Sequence, residues 1–404
     1  MHLFLFDVDG VLVDPVAYRV GSSRSMEILC QSIGLDNWKD LAINANEIAF
    51  FESRGIHDVW DIANIAMAAV VQVLACEQFS SSDPNPQWQT GEVANDILSF
   101  RASQPLCPRP NYESFVRHLE ISGTQHPPDI AYAYLSSELS SALGANVSPK
   151  WIELIGSFLP GSRSVYNSQV TRLFQNIILG SEEFQSTYGL PSRYDGESLL
   201  RTADVVHMKA SSVSKLKQLV NEHSRVGIYT ARPSHPPPDA KSQKGFPGEA
   251  EIAREQAKMA DFPLVGMGMM EWLAAQHDER AEHLTKPNTT QAVAAILATL
   301  AQHNDSSVLE EAYKIDKQNL SPCETSLAQL KNKDTTIVVF EDTVSGISPM
   351  LNVVYRLQQH GYNLIVKPLG VAKEASKKEA LAKLCEKVFP DINKALDFAL
   401  SQLP

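Results

Sequence analysis

The chain has 404 residues, of which 44% are hydrophobic and 20% charged, and its formal net charge is −12. A chain of this length can bury a large core and is expected to form two or three domains. The acidic balance argues against nucleic acid or an anionic membrane surface as the main partner, because both require a basic surface. A small phosphorylated ligand is compatible with it, since one metal ion and one lysine can reverse the local potential.

The cysteines and the apolar segments bear on where in the cell the protein is expected to be. The five cysteines are widely spaced and include no Cys-x-x-Cys pair, a usage typical of reduced, mostly buried thiols. We find no signal peptide ahead of the first apolar run, and no stretch with the roughly 18 uninterrupted apolar residues of a membrane span. We therefore expect a soluble, cytoplasmic protein.

Short apolar runs typical of strands buried on both faces recur along the chain. They lie at residues 3–6, 225–229, 335–340 and 364–366, with a weaker candidate from residue 262. Helical patterns lie between them, for instance over 290–302 and 373–387, and residues 303–334 are expected to form a helical excursion and a loop. Strands that alternate with helices predict an α/β fold with a Rossmann-like, doubly wound parallel sheet.

The interval 15–208 has a different pattern, because it is rich in helical periodicity and shows no convincing strand. Its main helical stretches are at 40–55, 60–79 and 168–185, and Pro/Ser-rich loops are expected at 80–87 and 104–111. We predict a mostly α-helical domain at 15–208, inserted after the first strand of a core domain formed by 1–14 and 209–404. A further Pro-rich loop at 233–248 follows a core strand directly.

Two carboxylates end the first predicted strand. In "FLFDVDGVLVD", Asp7 and Asp9 follow the apolar run, and alternation along a strand places both on one side with Val8 on the other. Gly10 then lets the backbone leave the strand. Ligands of open α/β sheets collect at the carboxyl ends of the strands, and two carboxylates aimed at one volume require a cation or a shared proton. A solvated turn is the alternative for an isolated Asp-x-Asp.

Three further segments place polar groups near predicted strand ends or helix starts. "GIYTARP" offers the hydroxyl and backbone N–H of Thr230 to an anion, or a cap to a turn. "HLTKPNTTQAV" places Lys286 just before a predicted helix, where a solvated charge is the alternative. "VVFEDTVSGI" ends a strand with Glu341 and Asp342, and Asp342 or Thr343 is also suited to cap the following helix.

Taken in this order, the segments resemble the motifs of the haloacid dehalogenase superfamily, most of whose members are magnesium-dependent phosphatases. "DVDGVLVD", "IYTARP", "LTKP" and "VFEDTVSGI" are similar to its first, second, third and fourth motifs. The fourth is similar to the Glu-Asp-Ser/Thr-x-x-Gly-Ile form of the phosphoglycolate phosphatase and β-phosphoglucomutase branch. The resemblance covers residues 1–14 and about 209–400. It implies that the inserted 15–208 domain is a helical cap, longer than is usual in that branch.

The resemblance implies an enzyme that hydrolyses a small phosphorylated metabolite. Asp7 would be the nucleophile and would form an aspartyl-phosphate. Asp9 would protonate the leaving oxygen and then activate the water that hydrolyses this intermediate. Mg²⁺ would be held by Asp7, the backbone carbonyl of Asp9 and Asp342, because it prefers oxygen ligands. Glu341 would bind a metal-bound water or orient Lys286.

The remaining motif residues are expected to bind phosphate. Lys286 would neutralise phosphate oxygens, and Thr230 with the adjacent Ala231 would hold the transferring group. Arg232 is suited either to reach the substrate or to pair with an acid. Asp14, at the end of the first motif, is as well suited to a capping or hinge role as to a role in the site.

The cap offers candidates for substrate specificity. "FFESRGIHDVW" supplies Glu52, Arg54 and Asp58, of which we assign Arg54 to the substrate site, and "LPGSRSVYN" supplies Arg163. An ordinary helix–turn–helix corner is the alternative for the first segment. The Pro-rich loop after Arg232 is either a lid or a surface insertion.

Other activities of the superfamily fit less well. Its dehalogenases lack an acid two residues after the nucleophile, whereas Asp9 is present here. A phosphonate hydrolase would need a Schiff-base lysine in the cap, and nothing marks Lys39 or Lys150 as activated. A phosphotransferase or phosphomutase would use the same core residues, and a binding or regulatory protein would keep the fold without turnover.

Overall fold

The structure is a computed structural model that describes residues 1–78, 85–88, 97, 100–119, 121 and 126–403. The strands are β1 His2–Phe6, β2 Val13–Asp14, β3 Gln87–Trp88, β4 Phe100–Arg101, β5 Val205–Val206, β6 Ser224–Tyr229, β7 Leu264–Val265, β8 Thr335–Glu341, β9 Leu364–Val371 and β10 Lys387–Phe389. The first nine helices are α1 Val16–Ser32, α2 Trp38–Leu41, α3 Ala45–Ser53, α4 Val59–Gln78, α5 Tyr112–His118, α6 Pro127–Leu143, α7 Ser148–Gly156, α8 Gln169–Leu179 and α9 Ser181–Tyr188. The others are α10 Leu199–Thr202, α11 Ala210–Leu219, α12 Glu249–Gln256, α13 Met267–Gln276, α14 Thr289–Ala301, α15 Ser306–Lys317, α16 Val344–Gln359, α17 Ala375–Leu381 and α18 Ile392–Ser401.

The chain forms two compact units. Unit 1 consists of Met1–Pro15, Ser186–Gly189 and Asp204–Pro404, and unit 2 consists of Val16–Gln185 and Leu190–Ala203. The chain therefore leaves unit 1 soon after its first strand, returns briefly at Ser186–Gly189 and stays in unit 1 from Asp204 onward.

Unit 1 is built on a six-stranded parallel sheet with the order β10-β9-β8-β1-β6-β7. The prediction of an α/β fold with a parallel, Rossmann-like sheet is confirmed at this level. After β1 the chain adds strands on one side of it and then, from β8, on the other. The carboxyl ends of β6, β1 and β8 therefore lie side by side where the strand order reverses, which is where open α/β sheets bind ligands.

Alternation along the strands produces the two faces of this sheet. Leu3 and Leu5 of β1 belong to one buried cluster with apolar residues of α13, α14, α15 and α16. Phe4 and Phe6 belong to another cluster with residues of α11, α12 and α18. Each face is thus covered by helices, which explains why the four residues Leu3 to Phe6 of β1 are all apolar.

One secondary-structure prediction for unit 1 is wrong. The pattern over 373–387 predicted a single helix, whereas α17 ends at Leu381 and β10 begins at Lys387. The strand Lys387–Phe389 has only three residues and lies at the edge of the sheet, with Lys387 exposed and the other two residues partly buried, so it has no apolar run that would have indicated it.

Unit 2 is mostly helical and has its own core. Its helix α4 is long and apolar enough to cross a membrane by composition, but 72% of that apolar window is buried inside the structure. The buried residues of α4 pack with apolar side chains of α1, α6, α7 and α8 in one cluster. A helix that is apolar around its whole circumference is expected at the centre of such a bundle.

Two expectations for the interval 15–208 need correction. It contains strands after all, because β3 pairs with β4 and β5 pairs with β2, each over two residues. The helix predicted over 168–185 is broken at Gly180, which has φ +80° and separates α8 from α9. The expected loop at 104–111 contains no helix or strand, whereas most of the loop expected at 80–87 lies outside the described residues.

Candidate active site

Asp7 is the first residue after β1 and lies level with the last residues of the neighbouring strands β6 and β8. Phe6 is paired with Ile228 of β6 and with Phe340 of β8, so the next residues, Asp7, Tyr229 and Glu341, stand level with one another. The Asp7 N–H continues the ladder by donating to the Phe340 carbonyl at 3.0 Å. The Asp7 backbone is therefore fixed by the sheet, and its side chain is buried.

The turn after β1 explains why a glycine is needed there. The N–H groups of Val11, Leu12 and Val13 all point to the carbonyl of Val8, which wraps the chain tightly after the strand. Gly10 has φ +74°, in the left-handed region, and a Cβ at this position would clash with the Asp342 carboxylate. Any side chain at Gly10 would therefore displace an acid of the candidate site.

Lys286 joins the acids of two strand ends. Its Nζ lies 3.0 Å from Asp7 Oδ1 and 2.5 Å from Glu341 Oε1. The ammonium also lies over the Tyr229 ring, 3.9 Å from the ring centroid. Gln291 of α14 supports this position, because its side chain accepts from the Lys286 N–H at 3.0 Å.

Glu341 and Thr343 organise the start of α16. Thr343 caps the helix by accepting from the Gly346 N–H at 3.2 Å, so the capping alternative holds for Thr343 and not for Asp342. The Thr343 hydroxyl also lies 3.2 Å from Glu341 Oε2. A Cβ at Gly346 would clash with the Glu341 carboxylate, so this close packing requires glycine there.

Asp342 completes a cluster of three buried carboxylates. Single oxygen atoms of Asp7, Glu341 and Asp342 all lie within 4.8 Å of one another. The Asp342 carboxylate also meets Lys377 of α17, whose Nζ lies 2.5 Å from Oδ2. Among the described residues, this is the group of side chains spaced to hold a metal ion.

The pKa values in this cluster indicate that its negative charge is not fully balanced. Burial and the charge of Glu341 raise the pKa of Asp7, although Lys286 opposes both effects. Burial raises the pKa of Asp342 to about 6, against the charge of Lys377. Burial alone would lower the pKa of Lys286, but the carboxylates of Asp7 and Glu341 outweigh it and raise that pKa. The lysine is therefore a fixed cation among acids that still favour a proton.

Asp9 has different partners from Asp7. Arg232 donates to Asp9 Oδ1 from Nε at 3.1 Å and from Nη2 at 2.5 Å. The same guanidinium donates to Asp204 Oδ2 from Nη1 and Nη2, both at 3.1 Å. Of the two roles left open for Arg232, the structure therefore shows pairing with acids.

Thr230 and Ala231 follow β6. The Thr230 N–H donates to the Val265 carbonyl at 3.0 Å, so it is not available to an anion, contrary to the prediction. The Thr230 hydroxyl accepts from the Arg232 N–H at 3.1 Å and can still donate its own proton. Ala231 is exposed at the strand end.

The cap candidates lie in unit 2. Arg54 caps the carboxyl end of α3, with its guanidinium 5.4 Å from the centroid of the Phe50 ring. Arg163 Nε lies 3.2 Å from Asp58 Oδ2, so the structure joins the two candidate segments by an ion pair. Glu52 is exposed on α3. Contact of these residues with a substrate stays a prediction.

Sequence reasoning missed several residues that contact the predicted ones. They are Asp204, Tyr229, Gln291 and Lys377. Asp204, Tyr229 and Lys377 contact partners that are distant in the chain, whereas Gln291 lies only five residues after Lys286. Tyr229 had a sequence signal, because it is the last residue of an apolar run and precedes Thr230 at the same sheet edge.

Comparison with known proteins bears on the fold. No family model matches the chain, and no curated protein matches it in sequence. A solved X-ray structure, described as a target of the Northeast Structural Genomics Consortium, is similar over 99% of this chain and 98% of its own, with a TM-score of 0.66 and 16% identity. At this identity the similarity establishes a shared fold alone.

Proposed function

We propose that this protein is a magnesium-dependent phosphatase of the haloacid dehalogenase type, which hydrolyses a small phosphorylated metabolite through an aspartyl-phosphate. The observation that carries the proposal is the contact of Lys286 with both Asp7 and Glu341, within a cluster that also includes Asp342. These residues come from three distant segments and from the motifs that resemble those of the superfamily. Such a group is what phosphoryl transfer needs, namely a nucleophile surrounded by fixed charges.

The donor set fits a divalent cation. Five acids and three bases form the ion pairs of the candidate site and its surroundings. The acids are Asp7, Asp9, Asp204, Glu341 and Asp342, and the bases are Lys286, Arg232 and Lys377. Fully ionised, they carry two excess negative charges, and the oxygen donors are of the kind that Mg²⁺ prefers. Asp7, Asp342 and the Asp9 carbonyl would hold the ion, with Glu341 supporting Lys286. When bound, Mg²⁺ would neutralise charge on the phosphate oxygens.

Asp7 is suited to be the nucleophile because it is held rigidly. Its backbone N–H donates a hydrogen bond to β8, and one carboxylate oxygen accepts a hydrogen bond from Lys286. The other carboxylate oxygen is left to attack the phosphorus atom of the substrate. A carboxylate is a weak nucleophile, and this fixed geometry supplies the alignment that such a group needs. Lys286 would then stabilise the charge on the transferring group.

Asp9 is suited to handle the leaving-group proton. Its side chain is 34% exposed, whereas Asp7 beside it is buried, so Asp9 is open to a substrate oxygen. In the first step Asp9 would protonate the oxygen that leaves with the alcohol. In the second step it would take a proton from the water that attacks the aspartyl-phosphate.

Unit 2 is proposed to act as a cap, in agreement with its insertion between Pro15 and Asp204. A cap would exclude water from the aspartyl-phosphate and would contact the leaving group. Arg54 is the residue that we propose for such a contact. We also propose that the protein acts on a cytoplasmic metabolite.

The proposal is tested by hydrolysis of p-nitrophenyl phosphate with and without Mg²⁺. We expect Mg²⁺-dependent release of phosphate that Asp7→Asn lowers by about 10⁴-fold or more, the scale of losing a nucleophile. Asp397→Asn is the matched control, because Asp397 is an exposed acid of α18 paired with Lys215. Equal activity of the parent and Asp7→Asn proteins would contradict the proposal. Turnover that requires a bisphosphate activator would favour the phosphomutase.

A further inference from the structure

We propose that Asp204 positions the leaving-group acid Asp9 through Arg232. The inference rests on the proposed function, because it concerns how Asp9 is oriented for proton transfer. Asp204 belongs to none of the four motifs and is the first residue of the long final segment of unit 1. It touches Arg232 and is therefore a positioning residue rather than a catalytic one.

The first support is the geometry of the bridge. Arg232 uses one edge of its guanidinium for Asp9 and the other for Asp204, with Nη2 shared between the two carboxylates. A planar guanidinium held at both edges cannot rotate about its own axis without breaking one of these pairs. The fork of Arg232 therefore restricts the orientation of the Asp9 carboxylate.

The second support is the difference in burial along the bridge. The side chains of Arg232 and Asp204 are fully buried, whereas Asp9 is 34% exposed. A buried guanidinium needs a counter-charge, and Asp204 supplies it away from solvent. Asp9 can then meet a substrate without being the only partner of the arginine.

The third support is that the bridge leaves one oxygen of Asp9 open. Both bonds from Arg232 fall on Oδ1. Within the described part of the chain, Oδ2 has no hydrogen bond. This second oxygen is therefore the one that would meet the leaving oxygen of a substrate.

The fourth support is that Arg232, at the centre of the bridge, is held by main-chain hydrogen bonds, and that Asp204, at one end, directly precedes a paired strand. The Arg232 N–H donates to the Thr230 hydroxyl at 3.1 Å, and the Arg232 carbonyl accepts from the Met267 N–H at 3.1 Å. Asp204 precedes β5, which pairs with β2 in the turn that follows Asp9. The residue that holds the arginine is thus tied to the same turn as the acid.

The test uses two substrates with different leaving groups. Protonation of the leaving oxygen by Asp9 accelerates cleavage of an alkyl phosphate, because that oxygen is strongly basic. It accelerates cleavage of p-nitrophenyl phosphate much less, because nitrophenolate is a stable leaving group. We expect Asp204→Ala in the full-length protein to lower kcat/KM for the alkyl ester by about 10²-fold, the lower range of general acid catalysis, because kcat/KM reports the steps up to departure of the alcohol. We expect kcat/KM for p-nitrophenyl phosphate to fall by less than about 10-fold, since hydrolysis of the aspartyl-phosphate is common to both esters and affects kcat alone.

Two further variants make the test specific. Asp9→Asn should show the same dependence on the leaving group, and the double variant with Asp204→Ala should lose no more activity than Asp9→Asn alone. Arg232→Lys keeps the charge but loses the fork, and should behave like Asp204→Ala. If Asp204→Ala does not fold, Asp204→Asn keeps the shape of the side chain and takes its place.

The outcomes separate the inference from the proposed function. Equal losses for both esters, or losses that add in the double variant, would overturn the role of Asp204 while leaving the phosphatase proposal intact. A parent protein that hydrolyses neither ester would overturn both.

Discussion

The two units bury charged side chains in different ways. In unit 2, Asp61 is 1% exposed and accepts from Ser162 Oγ at 3.0 Å and from Arg163 Nη2 at 2.9 Å. Burial would raise the pKa of Asp61, but its contacts with His126 and Arg163 outweigh burial and lower that pKa. In unit 1, burial prevails instead and raises the pKa of Asp7 and of Asp342.

The difference separates a structural charge cluster from a candidate site. Asp61 has enough donors to be stable as an anion, so this carboxylate requires nothing from outside the chain. Burial and the charge of Asp61 nevertheless raise the pKa of its neighbour Asp58, which shares Arg163 with it, to about 6. Asp7 and Asp342 retain unbalanced negative charge, and a proton or a cation would relieve it. Because Asp7, Glu341 and Asp342 are also spaced to hold a metal ion, we regard the cluster of unit 1 as the candidate site and Asp61 as a support of the fold of unit 2.

The largest expected effect is on catalysis in unit 1. Lys286→Met should lower kcat/KM for p-nitrophenyl phosphate by about 10³-fold, because it removes a fixed charge next to the transferring group. Asp61→Asn in unit 2 should leave kcat/KM near the parent value. Steady-state kinetics of both variants measures this difference, and a comparable loss of kcat/KM in the two variants would contradict the comparison of the two units.

The second prediction concerns opposite pH dependences of stability. The pKa of Asp342 is about 6 in the folded protein and has an ordinary value of 3.8, so the folded state binds the proton more tightly. Its ionisation thus costs stability as the pH rises from about 4 to 6, by up to about 3 kcal/mol. Asp342→Asn should remove this cost, so its free energy of unfolding should exceed that of the parent at pH 7 but not at pH 4.

Asp61 should behave in the opposite way. Its pKa is lowered in the folded protein, so its charge contributes stability above the unfolded value near 3.9, and this contribution is lost as the pH falls further. Asp61→Asn should therefore destabilise the protein at pH 7, by about 2 kcal/mol, and less at pH 3. Denaturant unfolding of both variants at several pH values tests the two predictions. If the free energies of unfolding of the two variants, relative to the parent, changed with pH in the same direction, the comparison would be contradicted.

A third prediction distinguishes two acids within unit 1. Asp342→Ala should weaken Mg²⁺ binding by about 10- to 100-fold, and Glu341→Ala should weaken it less, because Glu341 is bonded to Lys286 and Thr343. Calorimetric titration of the two variants measures this order. The reverse order would exchange the roles of the two residues.

The smallest effect is expected for Lys377. Its ammonium contacts Asp342 but is 47% exposed, so it competes only weakly with a cation for that carboxylate. Lys377→Met should strengthen Mg²⁺ binding by a few-fold in the same titration, a change of about 1 kcal/mol or less. Weaker binding in this variant would show that Lys377 supports the ion instead.

The sequence allowed correct predictions where a local residue pattern determines the structure. The apolar runs that become β1, β6 and β8 were visible, and the acids that end β1 and β8 meet because parallel strands bring their carboxyl ends to one edge. Lys286 was identified by the resemblance of "LTKP" to a motif. Its contact with Asp7 depends on how α14 packs on the sheet.

Contacts made by distant residues could not be predicted in the same way. Asp204 and Lys377 reach the site through side chains whose surroundings carry no motif, and their acidic or basic character alone does not set them apart from other charged residues. The N–H of Thr230 was expected to bind an anion, but the pairing of β6 with β7 occupies it. The strand β7 has only two residues, so its register was not readable from the sequence.

One measurement tests the central claim most directly. During turnover of a phosphate ester with Mg²⁺, the reaction is stopped with acid and the peptides are analysed by mass spectrometry. The account predicts one phosphoryl group on the peptide that contains Asp7, and none in the Asp7→Asn protein. Turnover with no phosphorylated Asp7, or with the phosphoryl group on another residue, would contradict it.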